Sequence, residues 1–359
     1  MSKYNSIILN GKRFSPEKIQ VRTAEIKINS FLPDWEKELY QFLNEWFSDS
    51  EFILVQTSGS TGEPKPIKLP KSMMVESAER TIGYFGLQKN DRLLLSLPCQ
   101  YIAGKMMVVR AIVGKMDLIT VDPTTDFDFL EQEIFEFGAM VPNQVFKLME
   151  QPSGKEKLQN IRNLLVGGSA ISKDLKTLIS QLSNRVVSTY GMTETASHIA
   201  IRELSGNLKS EFYHCLLGIS VSLSKNGCLQ IHHPEFAESL QTNDLAELQS
   251  ETSFRILGRV DSVIISGGIK YSPESIEKKL EDLIGQSYVI SSVPDQKLGE
   301  KLVLVIEGKT FPTKNLQEII DKNLPAFEQP KQILFLEKFP KTTSGKVKRN
   351  EVKLAILSQ

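Results

Sequence analysis

Two segments almost three hundred residues apart carry residue types suited to handling a polyphosphate: Thr57-Ser-Gly-Ser-Thr-Gly-Glu-Pro-Lys-Pro-Ile67 and Pro340-Lys-Thr-Thr-Ser-Gly-Lys346. In the first, Gly59 and Gly62 free the backbone to turn N–H groups toward oxyanions. Thr57, Ser58, Ser60 and Thr61 add hydroxyl donors, and Lys65 adds a positive charge. The pattern is not the common P-loop, which runs Gly-Lys-Ser/Thr directly into a helix, because Pro64 and Pro66 flank the lysine. Gly308-Lys309-Thr310 fails the same test, with Val303 standing where the first loop glycine belongs. The second segment presents Lys346 from a turn. Alone it reads as a solvated basic tail; beside the first it points to nucleotide-driven activation of a small molecule.

A third segment, Tyr190-Gly-Met-Thr-Glu-Thr-Ala-Ser197, puts an aromatic ring, hydroxyls and one carboxylate on a short polar turn after a strand pattern. Tyr190 could stack on a base and the hydroxyls bond a phosphate. Glu194 could hold Mg²⁺, since a hard cation on a nucleotide needs only one or two protein carboxylates. Taken by itself the segment reads equally as a helix start capped by Thr193 and Thr195.

The elements that must position these segments alternate. Apolar residues at Leu32, Trp35, Leu39, Phe42, Leu43 and Trp46 predict an amphipathic helix, and residues 51–56 predict a strand ending at the glycine-bearing loop. Short apolar runs at 92–97, 117–121, 139–141, 163–166 and 185–188 predict strands. Helical patterns at 72–85, 105–113, 127–136, 144–151 and 172–182 lie between them, which argues for an α/β architecture with largely parallel pairing. After Tyr213 the texture changes to short strands at 218–223, 227–232 and 251–256, read as mainly antiparallel. A fresh pattern begins near Gly258 to Asp261: strands at 263–265, 288–293 and 301–307, helices at 273–283 and 316–322, and a Gly267-Gly268 turn.

The chain of 359 residues is 40% hydrophobic, enough for two domains of unequal size. Lys plus Arg and Asp plus Glu balance at 43 each, so no overall field favours nucleic acid or an anionic membrane. Cys99, Cys215 and Cys228 are odd in number and widely spaced, which fits reduced thiols in a cytoplasmic protein, and the four histidines complete no metal pattern. Neither a signal peptide nor an apolar run long enough to span a bilayer is read in the sequence. No motif specifies an oligomeric state.

The three segments, together with Gly258-Arg-Val-Asp261 and Gly267-Gly268, occur in the order and approximate spacing of the adenylate-forming superfamily, which includes acyl-CoA synthetases, firefly luciferase and peptide-synthetase adenylation domains. The resemblance runs from about Gln56 to Arg349. It implies an α/β fold with a large N-terminal adenylate-forming domain of parallel and antiparallel sheets (1–259) and a small mobile C-terminal α+β domain (262–359), hinged near Asp261. It further implies that ATP, Mg²⁺ and CoA are used to activate a carboxylic acid. On that resemblance Thr57, Ser58, Gly59, Ser60, Thr61, Gly62 and Lys65 close on the β- and γ-phosphates. Gly167-Gly168-Ser169-Ala170 and Tyr190-Gly191 flank adenine, Thr193 meets the α-phosphate and Glu194 binds Mg²⁺. Asp244 and Arg259 contact the ribose, and Lys346 bridges carboxylate and phosphate during adenylation. Gly267, Gly268 and Lys270 serve the CoA half-reaction.

The chain departs from the family at Pro66 and Asn243, where glycine is usual, and in an N-terminal stretch much shorter than usual before the phosphate loop. The acyl pocket is expected between residues 97–105 and those after Glu194, with Tyr101, Lys105 and His198 as substrate residues and Arg202 beside them. Polar and basic groups there suit a compact acid with a second carboxylate better than a fatty acid. The short chain, Tyr101-Ile-Ala-Gly-Lys105 and Tyr190-Gly-Met-Thr-Glu-Thr-Ala-Ser-His198 resemble the o-succinylbenzoate–CoA ligases of menaquinone synthesis. A ligase for another small or aromatic acid, and a non-enzymatic or carrier-loading ATP-binding relative, are the alternatives.

Overall fold

The computed structural model describes residues 4–28, 32–56, 66–123, 127–168, 171–309, 313–342 and 347–358. Two compact units, Met1–Gly218 and Ile219–Gln359, divide the chain.

In the first unit, the apolar runs become the strands Ile7–Leu9, Asp117–Thr120, Arg92–Leu95, Phe135–Met140, Ile161–Val166 and Arg185–Gly191, parallel neighbours in that order. Lys12–Phe14 pairs antiparallel at one edge, and His198–Glu203 followed by Tyr213–Cys215 at the other. The order reverses between Arg92–Leu95 and Phe135–Met140, a switch point of the kind at which open α/β sheets bind ligands beyond the strand carboxyl ends. Three of the segments singled out in the sequence leave this sheet at that edge: residues 96–101, Gly167-Gly168 and residues 191–197 follow Arg92–Leu95, Ile161–Val166 and Arg185–Gly191.

The predicted helix around Trp46 spans Asp34–Trp46 and buries Leu39, Tyr40, Phe42, Leu43 and Trp46. Residues 52–56 form the predicted strand, paired antiparallel with Pro66–Pro70 so that Gln56 faces Pro66. Thr57, Ser58, Gly59, Ser60, Thr61, Gly62 and Lys65 join these strands and lie outside the described residues, as do Ser169, Ala170 and Lys346.

The helix expected over 127–136 is not formed. A single 3₁₀ turn, Asp128–Glu131, precedes the strand Phe135–Met140. Phe127, Leu130 and Ile134 are spaced like a helix face, but Phe127 sits in the left-handed region with φ 58°. The alternation of the fully buried Phe135 and Phe137 with Glu136 then follows the period of a strand.

The second unit opens with the antiparallel neighbours Ser220–Leu223, Cys228–His232, Leu240–Ser250 and Ser253–Arg259. A second sheet follows, in which Gly299–Glu307 pairs with Tyr288–Asp295, Ile264–Ser266 and, in parallel, Gln332–Leu336. Alternation along Gly299–Glu307 makes two cores. Leu302, Leu304 and Ile306 pack with Ile276, Leu280, Leu316 and Ile320, whereas Val303 and Val305 pack with Phe339, Val352 and Ile356. The helices Pro273–Leu280 and Thr313–Asn323 therefore contribute to one core and Arg349–Leu357 to the other. Among the described residues, no helix is long and apolar enough to cross a membrane.

Candidate active site

The turn after Arg185–Gly191 is fastened from inside by Thr195. The Met192 N–H donates to Thr195 Oγ1 at 3.1 Å, and the same hydroxyl lies 2.9 Å from the Met192 carbonyl oxygen and 2.7 Å from that of Ser197. Thr195 is buried, so the 3₁₀ turn Thr193–Thr195 has a fixed core. Thr193 and Glu194 are left half-buried. Among the described residues no side chain bonds the Glu194 carboxylate, and no cluster of three or more His, Cys, Asp or Glu is suited to holding a metal ion. A single uncommitted carboxylate fits Mg²⁺ that arrives with a nucleotide and keeps phosphate and water ligands, rather than a resident metal in a protein cage.

Gly191 is where backbone approaches backbone. A Cβ there would lie 2.4 Å from the Ser197 carbonyl oxygen and 2.5 Å from His198 Cα. Neither can retreat cheaply, because both belong to the turn that Thr195 fastens and to the adjoining strand. We expect Gly191→Ala to cost about 1–3 kcal/mol of stability by overpacking and to weaken ATP binding about tenfold or more, since about 1.4 kcal/mol of lost contact suffices. Thermal melting and nucleotide titration check this, and unaltered ATP affinity would remove the turn from the nucleotide site.

Tyr190 lies on the same strand, its ring centroid 5.9 Å from that of Tyr213 at an interplanar angle of 56°. The Arg202 guanidinium carbon sits 4.7 Å over the far partner, Tyr213. On the neighbouring strand the Gly167 N–H donates to the Met140 carbonyl at 3.2 Å, which sets the start of the Gly167-Gly168 turn.

The expected acyl segments meet on an unexpected residue. Arg110, in the helix Ile102–Gly114, is 2% exposed. It donates to Ser197 Oγ at 2.7 Å and lies 3.5 Å from His198 Nδ1, with its guanidinium 5.9 Å from the Phe137 ring centroid. Its Nε has no partner, and no carboxylate pairs with it among the described residues. Burial pushes its pKa down to about 9, which still leaves a cation at neutral pH. Buried charges are ordinarily paired. An arginine fork without a paired acid, beside the residues that follow Glu194, keeps donor geometry of the kind a carboxylate accepts.

His198 is the buried neighbour of Arg110. Burial, and then the Arg110 charge, hold its pKa well below the ordinary value, so it is neutral. Thr81 Oγ1 donates to the Ser77 carbonyl at 3.0 Å, which leaves it to accept from His198 Nε2–H at 3.3 Å. The Nδ1 lone pair then faces Ser197 Oγ, 3.2 Å away, and Arg110.

The other two expected substrate residues lie elsewhere on this helix. Lys105 is 8% exposed and places Nζ 4.6 Å over the Phe42 ring centroid; burial lowers its pKa, and Glu45, Cys99 and Glu38 partly oppose that. Tyr101 stands at the helix N-cap, 42% exposed. Sequence reasoning passed over Arg110, although one arginine within the apolar run Met106 to Val113 was the available signal.

In the second unit, Asp244 and Arg259 face each other across paired strands, and Arg259 Nη1 donates to Asp244 Oδ1 at 3.2 Å. The rest of the fork holds Asp261, Nε at 2.9 Å and Nη2 at 2.7 Å. The expected ribose residue Asp244 and the expected hinge residue Asp261 thus share the Arg259 guanidinium. Gly267 and Gly268, at φ 58° and 79°, make the two-residue turn between Ile264–Ser266 and Ile269–Tyr271; two positive φ values define the tight hairpin that glycine favours. Lys270 extends from the second strand, exposed.

Comparison with known proteins gives the family and the fold. The AMP-binding enzyme family matches residues 14–215, and its C-terminal domain family matches residues 280–346. The chain is 27% identical over 350 residues to the 2-succinylbenzoate–CoA ligase of Listeria monocytogenes serotype 4b (strain F2365), covering 90% of this chain and 74% of that one. Among solved structures, an acyl-CoA synthetase (AMP-forming)/AMP-acid ligase II-like protein from Dyadobacter fermentans DSM 18053 is 32% identical with a TM-score of 0.60, covering 93% of this chain and 98% of that one. The o-succinylbenzoate CoA synthetase of Bacillus subtilis, solved with ATP and magnesium ion, shares the fold at 20% identity and a TM-score of 0.70, covering 93% and 82%.

Proposed function

Because the chain belongs to the AMP-binding enzyme family and is an AMP-forming acyl-CoA synthetase, we propose that its acid is o-succinylbenzoate and its product the CoA thioester used in menaquinone synthesis. A carboxylate oxygen of the acid forms a bond to the α-phosphorus of ATP, and the bond to pyrophosphate breaks. The thiol of CoA then adds to the acyl carbonyl, loses its proton, and AMP leaves.

The first step brings two anions together, so positive and dipolar groups must offset their repulsion. We assign that task to Lys346, to the loop Thr57 to Lys65 and to Thr193 at the α-phosphate, with Glu194 holding Mg²⁺. When bound, the ion supplies charge neutralisation on the phosphates. Tyr190, Gly191 and the turn Gly167 to Ala170 flank adenine, and Asp244 with Arg259 holds the ribose. Asp261 is the pivot between residues 1–259 and 262–359, and Gly267, Gly268 and Lys270 serve the thiol step.

One observation carries the choice of acid: Arg110, buried without a carboxylate partner among the described residues, beside Ser197 and His198. A diacid needs one carboxylate for adenylation and a cation for the other. Lys105, on the same helix as Arg110, stands over the Phe42 ring, and we assign the second carboxylate to the Arg110 fork. We place the enzyme in the cytoplasm, where Cys99, Cys215 and Cys228 stay reduced. A panel of acids incubated with ATP, Mg²⁺ and CoA and read by mass spectrometry tests the substrate. The o-succinylbenzoyl thioester should dominate over thioesters of benzoate and phenylacetate, and preference for a monoacid would overturn the assignment.

A further inference from the structure

The segment that bears Lys346 is bracketed by two carboxylates that no step of the reaction uses. On its N-terminal side Phe339 is buried, and its N–H donates to Glu307 Oε1 at 2.8 Å, while Lys341 Nζ reaches Glu307 Oε2 at 3.2 Å. On its C-terminal side Arg349 opens the helix Arg349–Leu357 and grips Glu277 with both Nη atoms, Nη1 at 2.8 Å. The same Glu277 accepts from the Ile290 N–H at 2.6 Å, so it is tied to the central sheet of this domain as well as to its own helix. The two sides are joined directly. Lys341 and Val347 form an antiparallel bridge, and the Lys348 N–H donates to the Pro340 carbonyl at 2.9 Å.

The backbone bridge Lys341–Val347 precedes and follows residues 343–346, which lie outside the described residues, and its two flanks are each fastened by a carboxylate to a different element. Glu277 is mostly buried, and burial raises its pKa even as Arg349 opposes the rise. An apolar contact would anchor the helix at less cost, since buried ion pairs are often no more stabilising than packed side chains of similar volume. What a bidentate fork adds is direction. Resting on the reading of Lys346 as the adenylation lysine, we infer that Glu277, through Arg349, and Glu307 are positioning residues for that lysine.

The test separates the half-reactions. Glu277→Gln and Glu307→Gln are compared with Lys346→Ala in acid-dependent exchange of pyrophosphate into ATP, in thioester formation from supplied acyl-adenylate, and in thermal midpoint. Misplacing a catalytic group by about 1 Å costs up to about 100-fold, so each glutamine variant should lower the exchange kcat by about tenfold or more. The KM for ATP and the thioester half-reaction should stay within about twofold. Equal losses in both half-reactions would mean a merely structural role and overturn the inference, as would full exchange in both glutamine variants when Lys346→Ala has lost it. If Lys346→Ala itself exchanges normally, the underlying reading falls, and the positioning role with it.

Discussion

Replacing Arg110 with methionine is expected to raise the KM for o-succinylbenzoate by about 100-fold, because truncating one member of a buried, hydrogen-bonded charge pair costs roughly 2–5 kcal/mol. Thermal stability should move the other way or not at all. Arg110 is buried, lacks a carboxylate partner among the described residues and leaves its Nε unbonded, so its contacts with Ser197, His198 and Phe137 offset only part of its desolvation. Methionine fills comparable volume without the charge. A structural arginine behaves oppositely, since its loss would lower the thermal midpoint and impair every acid alike. The discriminating substrate is an analogue that keeps the adenylated carboxylate and lacks the other, whose KM should be unchanged within about twofold. An unchanged KM for the diacid, or a large drop in thermal midpoint with equal losses for both acids, would remove Arg110 from substrate recognition.

Lys346→Ala should suppress pyrophosphate exchange by about 100-fold or more, the loss seen when one preorganised donor to a developing anion is deleted. Its effect on thioester formation from supplied adenylate should be within about threefold, because no phosphate–carboxylate encounter remains in that step. The asymmetry is the prediction. Lysine has a compact charge on a flexible stem, so its worth depends on delivery, which is why the clasp of Glu307 and Glu277 around its segment matters. Equal suppression of both half-reactions would show that the substitution had damaged the domain rather than the encounter.

Much of this was legible in residue order because the strands of the first unit are buried on both faces. Runs such as Leu93-Leu-Leu95 and Leu164-Leu-Val166 are apolar throughout, as strands of a covered parallel sheet are, and the turns after them carry the glycines and hydroxyls. Leu240–Ser250 escaped notice for the complementary reason. Its burial alternates irregularly, and Asn243, Asp244, Glu247 and Gln249 give it the composition of a loop. Asp244 was found through its resemblance to a ribose ligand, not as part of a strand. Helix Arg349–Leu357 was obscured because its apolar face is only Val352 and Ile356, with Arg349 and Lys353 supplying the remaining attachments as ion pairs.

The site shows the same division between local and long-range information. The spacing within Tyr190 to Ser197 is local, and the sequence displays it whole. Which cation lies beside the residues after Glu194 is decided by packing: Lys105 and Arg110 lie on one helix, but the first stands over Phe42 and the second bonds Ser197 and His198. Neither contact is within reach of periodicity, since the partners are sixty or more residues away in the chain. The tautomer of His198 depends similarly on Thr81, from a helix far earlier in sequence.

The most direct test of the account is isotope exchange between pyrophosphate and ATP by the purified, unaltered protein with Mg²⁺, in the presence and absence of o-succinylbenzoate and without CoA. Exchange that depends on the diacid is the predicted result, because reversible adenylate formation needs no thiol. Absence of exchange with this acid, or exchange equally supported by benzoate, would contradict it.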